Sequence, residues 1–391
     1  MTSISTKIRN KLSYERKRLA VRFNHYMRRN QKISSDEAHM KAAMDWLCRA
    51  QDVTGSGGVS ARYNVFTGWA PPYPETTGYI ITTFLKYASL TGDSIFIERA
   101  IRMGDWEIGI QLPSGGVRGE IGLKELPYVF DTGQVLSGWI SLYDVTKLSR
   151  FLDAAVKAGN WLVDAQDQDG AWTSCAYHGI SHVYYTQVAW ALLRLYEFTK
   201  DAKYRNAGEK NISWALSHAL ETGWFNRMAF TSEQSQTPYT HTIGYTLQGL
   251  IEAHKYLTQE TKQNVIRVLG TAGENIIRKY ELDSSKSSQL PGTLDSRWES
   301  NDKFTCLTGN VQIAIFFLKL HQILNKALYR EAAVSLIEGV KATQSLNSRD
   351  PGIRGGIAGS WPIWGGYSSN NYPSWATKYF VDALFAEKER Y

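Results

Sequence analysis

Trp161-Leu-Val-Asp-Ala-Gln166-Asp-Gln-Asp-Gly170-Ala-Trp172 decides the fold, because its parts recur along the chain. The first tryptophan returns as Trp46, Trp106 and Trp214, the four standing 60, 55 and 53 residues apart, and each is followed nine residues later by a glycine: Gly55, Gly115, Gly170 and Gly223. The glutamine returns as Gln51, Gln111 and Gln344, again closing a segment, and Thr91, Thr146 and Thr199 each precede the next register tryptophan by fifteen residues. A period this long, with one apolar-periodic stretch before the glycine and another after it, marks stacked helix pairs.

Working outward, apolar residues return at three and four over 36–51, 94–111, 150–167, 203–219, 261–280 and 327–345, the pattern of helices with one wet face. The segments between them, 75–90, 131–146, 182–199, 240–258, 306–325 and 372–388, are apolar around much of their circumference and predict helices buried on several sides. Six buried helices around an axis, screened by six amphipathic ones, make an all-α double ring, the (α/α)6 toroid. An open solenoid would end on a visibly polar repeat. Here Tyr372-Pro373-Ser374-Trp375 opens a last segment as aromatic as an interior one, so the ring is expected to close and 34–391 to form one domain.

The 391 residues, 43% hydrophobic, suffice for one large core. Three cysteines, Cys48, Cys175 and Cys306, odd in number and far apart, describe no disulfide framework. The formal charge of +7 is not spread evenly: residues 1–33 carry ten Lys or Arg and one Glu, leaving 34–391 at −2. The charge continues into no stripe and no nucleic-acid reading module follows, so a nucleic-acid partner is not expected. The basic leader, with Leu12, Leu19, Val21 and Phe23 among its cations, fits a cationic amphipathic helix against an anionic bilayer. Its charge stands where a signal peptide needs apolar residues, and the expected location is the cytoplasm, peripheral at the inner membrane face.

Gln166–Trp172 and Gly356-Ile-Ala-Gly-Ser-Trp361 look like the turn signature of the six-hairpin toroid class, which the chain resembles over roughly residues 36–391. That class is shared by glycosidases, polysaccharide lyases, the helical domain of glucuronyl epimerases and terpenoid cyclases. The resemblance implies a substrate cleft over the wide end of the inner ring, beside the loops that precede the inner helices; it does not choose a reaction. The acidic cyclase pattern Asp-x-Asp-Asp is absent, and the β-rich domain that accompanies the epimerase toroid has no counterpart.

Those loops are rich in polar and aromatic groups: Trp69, Tyr73 and Glu75; Arg118, Glu120 and Asp131; His182, Tyr184 and Tyr185; His241; Arg297 and Trp298; Trp361 and Trp364. Aromatic planes stack on sugar rings while imidazoles and guanidinium groups bind the ring edge, so these side chains are the substrate-binding candidates and an oligosaccharide or polysaccharide is the expected partner. Glycoside hydrolysis needs one protonated and one ionised carboxyl flanking the bond. Glu120 is the expected acid and Glu75 or Asp131 the base or nucleophile, with helix capping as the competing role for Glu75 and Asp131. Tyr184, Tyr185 or either histidine, with Arg297 neutralising a uronate, would instead make a lyase or C5-epimerase. A non-catalytic glycan-binding or assembly protein would keep the aromatic cleft without the acid pair.

Metal and cofactor motifs are weak. Cys175-x-x-His178 with Cys306 is an incomplete zinc set, and Gly352-Ile-Arg-Gly-Gly-Ile-Ala-Gly359 lacks the strand a dinucleotide site requires, so neither a metal nor a cofactor is expected. The reading is a glycoside hydrolase for a surface-type or lipid-linked oligosaccharide. Deleting residues 1–33 is expected to leave the melting temperature unchanged and to reduce co-sedimentation with anionic liposomes; equal recovery of both forms would rule out membrane docking through the leader.

Overall fold

The computed structural model describes Leu19, residues 33–285 and residues 287–389. The basic leader, Leu19 and Ile33 apart, lies outside these residues. Among the described residues there are twelve α-helices: α1 (Asp36–Asp52), α2 (Pro74–Thr91), α3 (Ile95–Ile110), α4 (Val129–Thr146), α5 (Ser149–Asp164), α6 (Thr186–Thr199), α7 (Ala202–Ser217), α8 (Thr240–Ala253), α9 (Gln259–Tyr280), α10 (Leu307–Leu324), α11 (Ala327–Lys341) and α12 (Ser374–Lys388). The even-numbered helices form the inner ring. Each packs on the next, and α12 returns to α2. The chain is an (α/α)6 toroid, and one continuous core runs through it from Met40 to Ala386.

The sequence pairs each outer helix with the inner helix that follows it; the structure packs each with the inner helix before it. The reason is loop length. Residues 92–94, 147–148 and 200–201 are too short to connect anything but antiparallel neighbours, whereas 53–73, 111–128 and 165–185 are long enough to cross the mouth. Helix α1 therefore takes α12 as its partner, which closes the ring.

The recurring residues carry out this closure. Gln51 Nε2 donates to Gly57 O in its own turn and to Arg99 O on α3, both at 3.0 Å. Gln111 makes the same pair of bonds to Gly115 and Ala154, and Gln166 to Gly170 and Ala207. Gln344 repeats it across the seam, donating to Gly355 O (2.7 Å) and back to His39 O on α1 (3.2 Å). The register tryptophans pack on the preceding turn's glycines: a Cβ on Gly58 would stand 2.7 Å from the Trp106 ring, and one on Gly356 2.7 Å from Trp46 Nε1. The threonines end the inner helices, Thr146 Oγ1 donating to Leu142 O and accepting from Leu148 N–H.

Inner helices approach closely at the mouth. A Cβ on Gly78 of α2 would lie 2.6 Å from the Val135 backbone of α4, so a side chain there would pry the ring apart. Helix α10 is apolar and long enough to cross a membrane, with a mean hydropathy of 1.2; two-thirds of it is buried as a wall of the inner ring between α8 and α12.

Gln344→Ala leaves two buried carbonyls and His39 Nδ1 without their partner, and is expected to lower the unfolding free energy by about 2–4 kcal/mol. A loss below about 1 kcal/mol in denaturant titration would show that the seam does not rely on this side chain.

Candidate active site

The N-termini of all six inner helices open on one end of the ring, where a cavity of about 460 Å³ lies on the axis. Glu75 sits in the first turn of α2 behind Pro74, and Asp131 in the first turn of α4. Neither caps its helix; the N-cap residues Tyr73 and Tyr128 make no side-chain cap bond. Glu75 instead accepts from the Tyr73 hydroxyl at 2.5 Å and from the Tyr245 hydroxyl of α8 at 3.1 Å. Asp131 Oδ2 accepts the Glu120 backbone N–H at 3.0 Å, which ties the loop over the mouth to α4.

These environments divide the protons. Burial pushes the Glu75 carboxyl up to about 7, against the two tyrosine hydroxyls that favour its charged form. Asp131 is raised well above the ordinary aspartate range, first by burial and then by the neighbouring Glu75 charge. Two buried carboxyls on one cavity titrate as a pair. Glu75 accepts from two phenolic donors and Asp131 from one amide, so hydrogen bonding favours the charged form more at Glu75 than at Asp131. Glu120 is held in the opposite direction: Lys124 at 2.7 Å, with the Tyr128 hydroxyl at 2.8 Å, lowers it below the usual glutamate range. That environment favours the charged form of Glu120, the residue expected as the acid. It is the ionised member of an ion pair at the rim.

Tyr73, Glu75, Glu120, Asp131, Tyr184, Tyr185 and His241 line the cavity together. His241, pushed down to about 4 by burial, is neutral; Gln312 Oε1 accepts from its Nδ1 at 2.7 Å, which leaves Nε2 for the cavity. The other candidates lie elsewhere. Trp69 packs on Trp46 in the wall, Trp298 on Trp224, and Trp361 and Trp364 against the core. Arg118 faces Glu125, Arg297 pairs with Asp295 and Glu299 at the surface, and buried His182 turns both ring nitrogens to the carbonyls of Ala229 and Tyr177. Cys306 is buried and Cys175 exposed, and no group of three or more His, Cys, Asp or Glu among the described residues could hold a metal ion.

Arg62, Phe230, Tyr245, Tyr367 and Trp375 also line the cavity, and the sequence reading had missed them. Tyr245 and Trp375 carried a signal. Each inner helix turns residues i, i+4, i+7 and i+11 to the axis: Glu75, Tyr79, Thr82 and Lys86 on α2, and His241, Tyr245, Gln248 and Glu252 on α8. Trp375 heads the same stripe on α12.

No protein-family model matches the sequence, and no curated protein does. Solved structures do. An unsaturated glucuronyl hydrolase specific for heparin is 15% identical, with 91% of this chain and 98% of that one covered and a TM-score of 0.70. An unsaturated glucuronyl hydrolase from a Bacillus species, responsible for glycosaminoglycan degradation, is 14% identical over 91% and 97%, with a TM-score of 0.69. Cellobiose 2-epimerase from Bacillus thermoamylovorans is 12% identical over 89% and 96%, with a TM-score of 0.68. What these chains share is the fold.

A fourth acid lies outside the cavity. Glu107 of α3 is fully buried, neither of its carboxylate oxygens has a hydrogen-bond partner among the described residues, and burial followed by the Asp131 charge raises it well above the usual range. A group raised on folding stabilises fully below its unfolded value and loses that contribution as pH climbs towards its folded value. Glu107→Gln removes the titration, so its unfolding free energy relative to the parent is expected to rise by up to about 1.4 kcal/mol per pH unit above pH 5. Parallel melting curves of the two proteins between pH 5 and 8 would refute neutral Glu107.

Proposed function

We propose that the protein is a glycoside hydrolase in which Asp131 is the general acid and Glu75 the base or nucleophile. The observation that carries this is the split environment of two carboxyls facing one aromatic-walled cavity from neighbouring inner helices. Asp131 gives its proton to the departing glycosidic oxygen. Glu75, oriented by Tyr73 and Tyr245, activates water or attacks the anomeric carbon. The phenol rings supply the stacking faces.

The substrate class we infer is a saccharide bearing a carboxylate at the cleaved end. Arg62 stands on the cavity and forms no ion pair among the described residues. Two of the structural neighbours are named for a glucuronyl sugar, which fits the same chemistry. A surface-type or lipid-linked oligosaccharide at the cytoplasmic membrane face is the substrate that would join this cavity to a membrane-docking leader.

One observation favours a second reading. Neutral His241, with Nε2 towards the cavity that Arg62 also lines, has the parts for removing a proton beside a carboxylate, as a lyase or epimerase requires.

Asp131→Asn and Glu75→Gln are each expected to lower kcat/KM by at least about 10²-fold, and Arg62→Gln to act mainly on KM. The rate should rise with pH as Glu75 ionises near 7 and fall once Asp131 loses its proton. Reaction in heavy-oxygen water separates the chemistries by product mass. One incorporated heavy oxygen supports hydrolysis, an unsaturated uronate without it supports elimination, and solvent deuterium at C5 with no bond cleaved supports epimerisation. No product from any uronate-containing glycan would leave only a binding role.

A further inference from the structure

Below the candidate active site the axis opens into a second cavity of about 280 Å³, to which all six inner helices contribute. A layer of Tyr79, Tyr245 and Tyr379, the last in ring contact with each of the other two, separates the two. Further down, the stripe positions become charged. Each acid on this cavity is matched by a lysine: Asp382 with Lys378 at 2.8 Å, Glu252 with Lys319 at 3.4 Å, and Glu389 with Lys86 at 3.6 Å. Arg194 of α6 is the cation left over. Its guanidinium donates to Ser137 O, Ser137 Oγ and Ser141 Oγ on α4, at 3.3, 2.8 and 3.0 Å, and has no carboxylate within ion-pair distance among the described residues.

The partly buried guanidinium lies 5.5 Å from the Trp190 ring centroid, and Glu252, Glu197 and Asp144 act on it only from beyond ion-pair distance, so no carboxylate bonds it directly. The serine oxygens satisfy three of its hydrogen bonds and supply no charge. The negative end of α6 does not supply it either, because Arg194 stands five residues before Thr199 and a helix terminus acts only over its last turn. Two further donors on this cavity lack acceptors among the described residues. The Trp190 indole N–H, one turn before Arg194, is buried and unpaired. The Gln134 amide, only 5% exposed, makes no side-chain hydrogen bond.

We propose that this lower cavity binds a small oxyanion, a phosphate or a carboxylate, between Arg194, Trp190 and Gln134. The anion completes the charge balance that the three acid–lysine pairs leave one short. Arg194 offers its remaining N–H groups to one oxygen pair, while the indole and amide N–H groups meet the others. Lys378 and Lys319 stay with their own carboxylates. The site is separate from the Glu75–Asp131 pair and does not depend on the reaction catalysed there.

Calorimetric titration of the full chain with sodium phosphate and, separately, with sodium acetate, at constant ionic strength set by chloride, tests this. Saturable uptake of one equivalent is expected with at least one of the two, and the tighter titrant names the oxyanion class. Arg194→Gln is expected to weaken it by at least about tenfold, Trp190→Phe by a smaller factor, and Arg62→Gln in the upper cavity to leave it unchanged. The proposal is overturned by a wild-type protein that takes up neither anion, by Arg62→Gln abolishing uptake, or by Arg194→Gln binding as tightly as wild type. If Arg194→Gln does not fold, Trp190→Phe decides: it keeps an aromatic ring while removing the N–H with part of the indole, and wild-type affinity in it overturns the site.

Discussion

The structure depends on one side chain bridging two carbonyls. A glutamine at the end of an outer helix has two N–H donors about a hydrogen-bond length from both its own turn and the next outer helix, so it fixes the offset between successive units. Repeated at Gln51, Gln111 and Gln166, this sets the rotation per unit, and at Gln344 it joins the last unit to α1 across some three hundred residues. The glycines serve the same turn. With no Cβ at Gly57–Gly58 or Gly355–Gly356, the next unit's tryptophan lies flat on the backbone. Valine or isoleucine follows, as Val59, Val117 and Ile357, each fully buried, its N–H given to an inner-helix threonine. Turn, outer neighbour and inner helix are thereby held at one point, and the mouth is the space such turns leave.

Most of this was legible because it repeats. The twelve helices fall close to their expected spans, since Thr91, Thr146 and Thr199 stop the inner helices by bonding back one turn and the glutamines stop the outer ones. The Gly-Gly-Val and Gly-Gly-Ile runs at 57–59, 115–117 and 355–357 repeat as well and mark the turns on which the next tryptophan packs. Less legible was which loop aromatic faces a sugar and which faces another ring. Trp69 and Trp298 stand at helix entrances as Tyr73 does, and only partners distant in sequence, Trp46 and Trp224, turn them inward. Such contacts have no local signature.

The acid pair shows a related limit. Sequence placed Glu75, Glu120 and Asp131 at one mouth, and they line one cavity. It could not rank their proton affinities, because that ranking comes from neighbours: a lysine four residues along for Glu120, two tyrosine hydroxyls for Glu75, and for Asp131 little beyond a backbone amide and a repelling carboxylate. Lys124 was the readable part. A carboxylate with a lysine at i+4 in a hairpin is poorly suited to hold a proton near neutrality.

The axial stripe links both cavities to the fold. Helices apolar around most of their surface still turn one polar row inward, because the ring is too wide at its centre for six side chains to fill it with hydrocarbon, and water or ligand occupies what remains. The six inner helices run in one direction, so their positive N-terminal ends converge on the mouth. That field favours the ionised form of Glu75 and opposes the burial that raises Asp131. The tyrosine layer at Tyr79, Tyr245 and Tyr379 lies between the two ends: the Tyr245 hydroxyl donates to Glu75, while the Tyr79 and Tyr379 rings face Lys378, whose ammonium lies 3.8 Å from the Tyr379 centroid. Carboxyl chemistry above and paired cations below can therefore share one axis without neutralising each other.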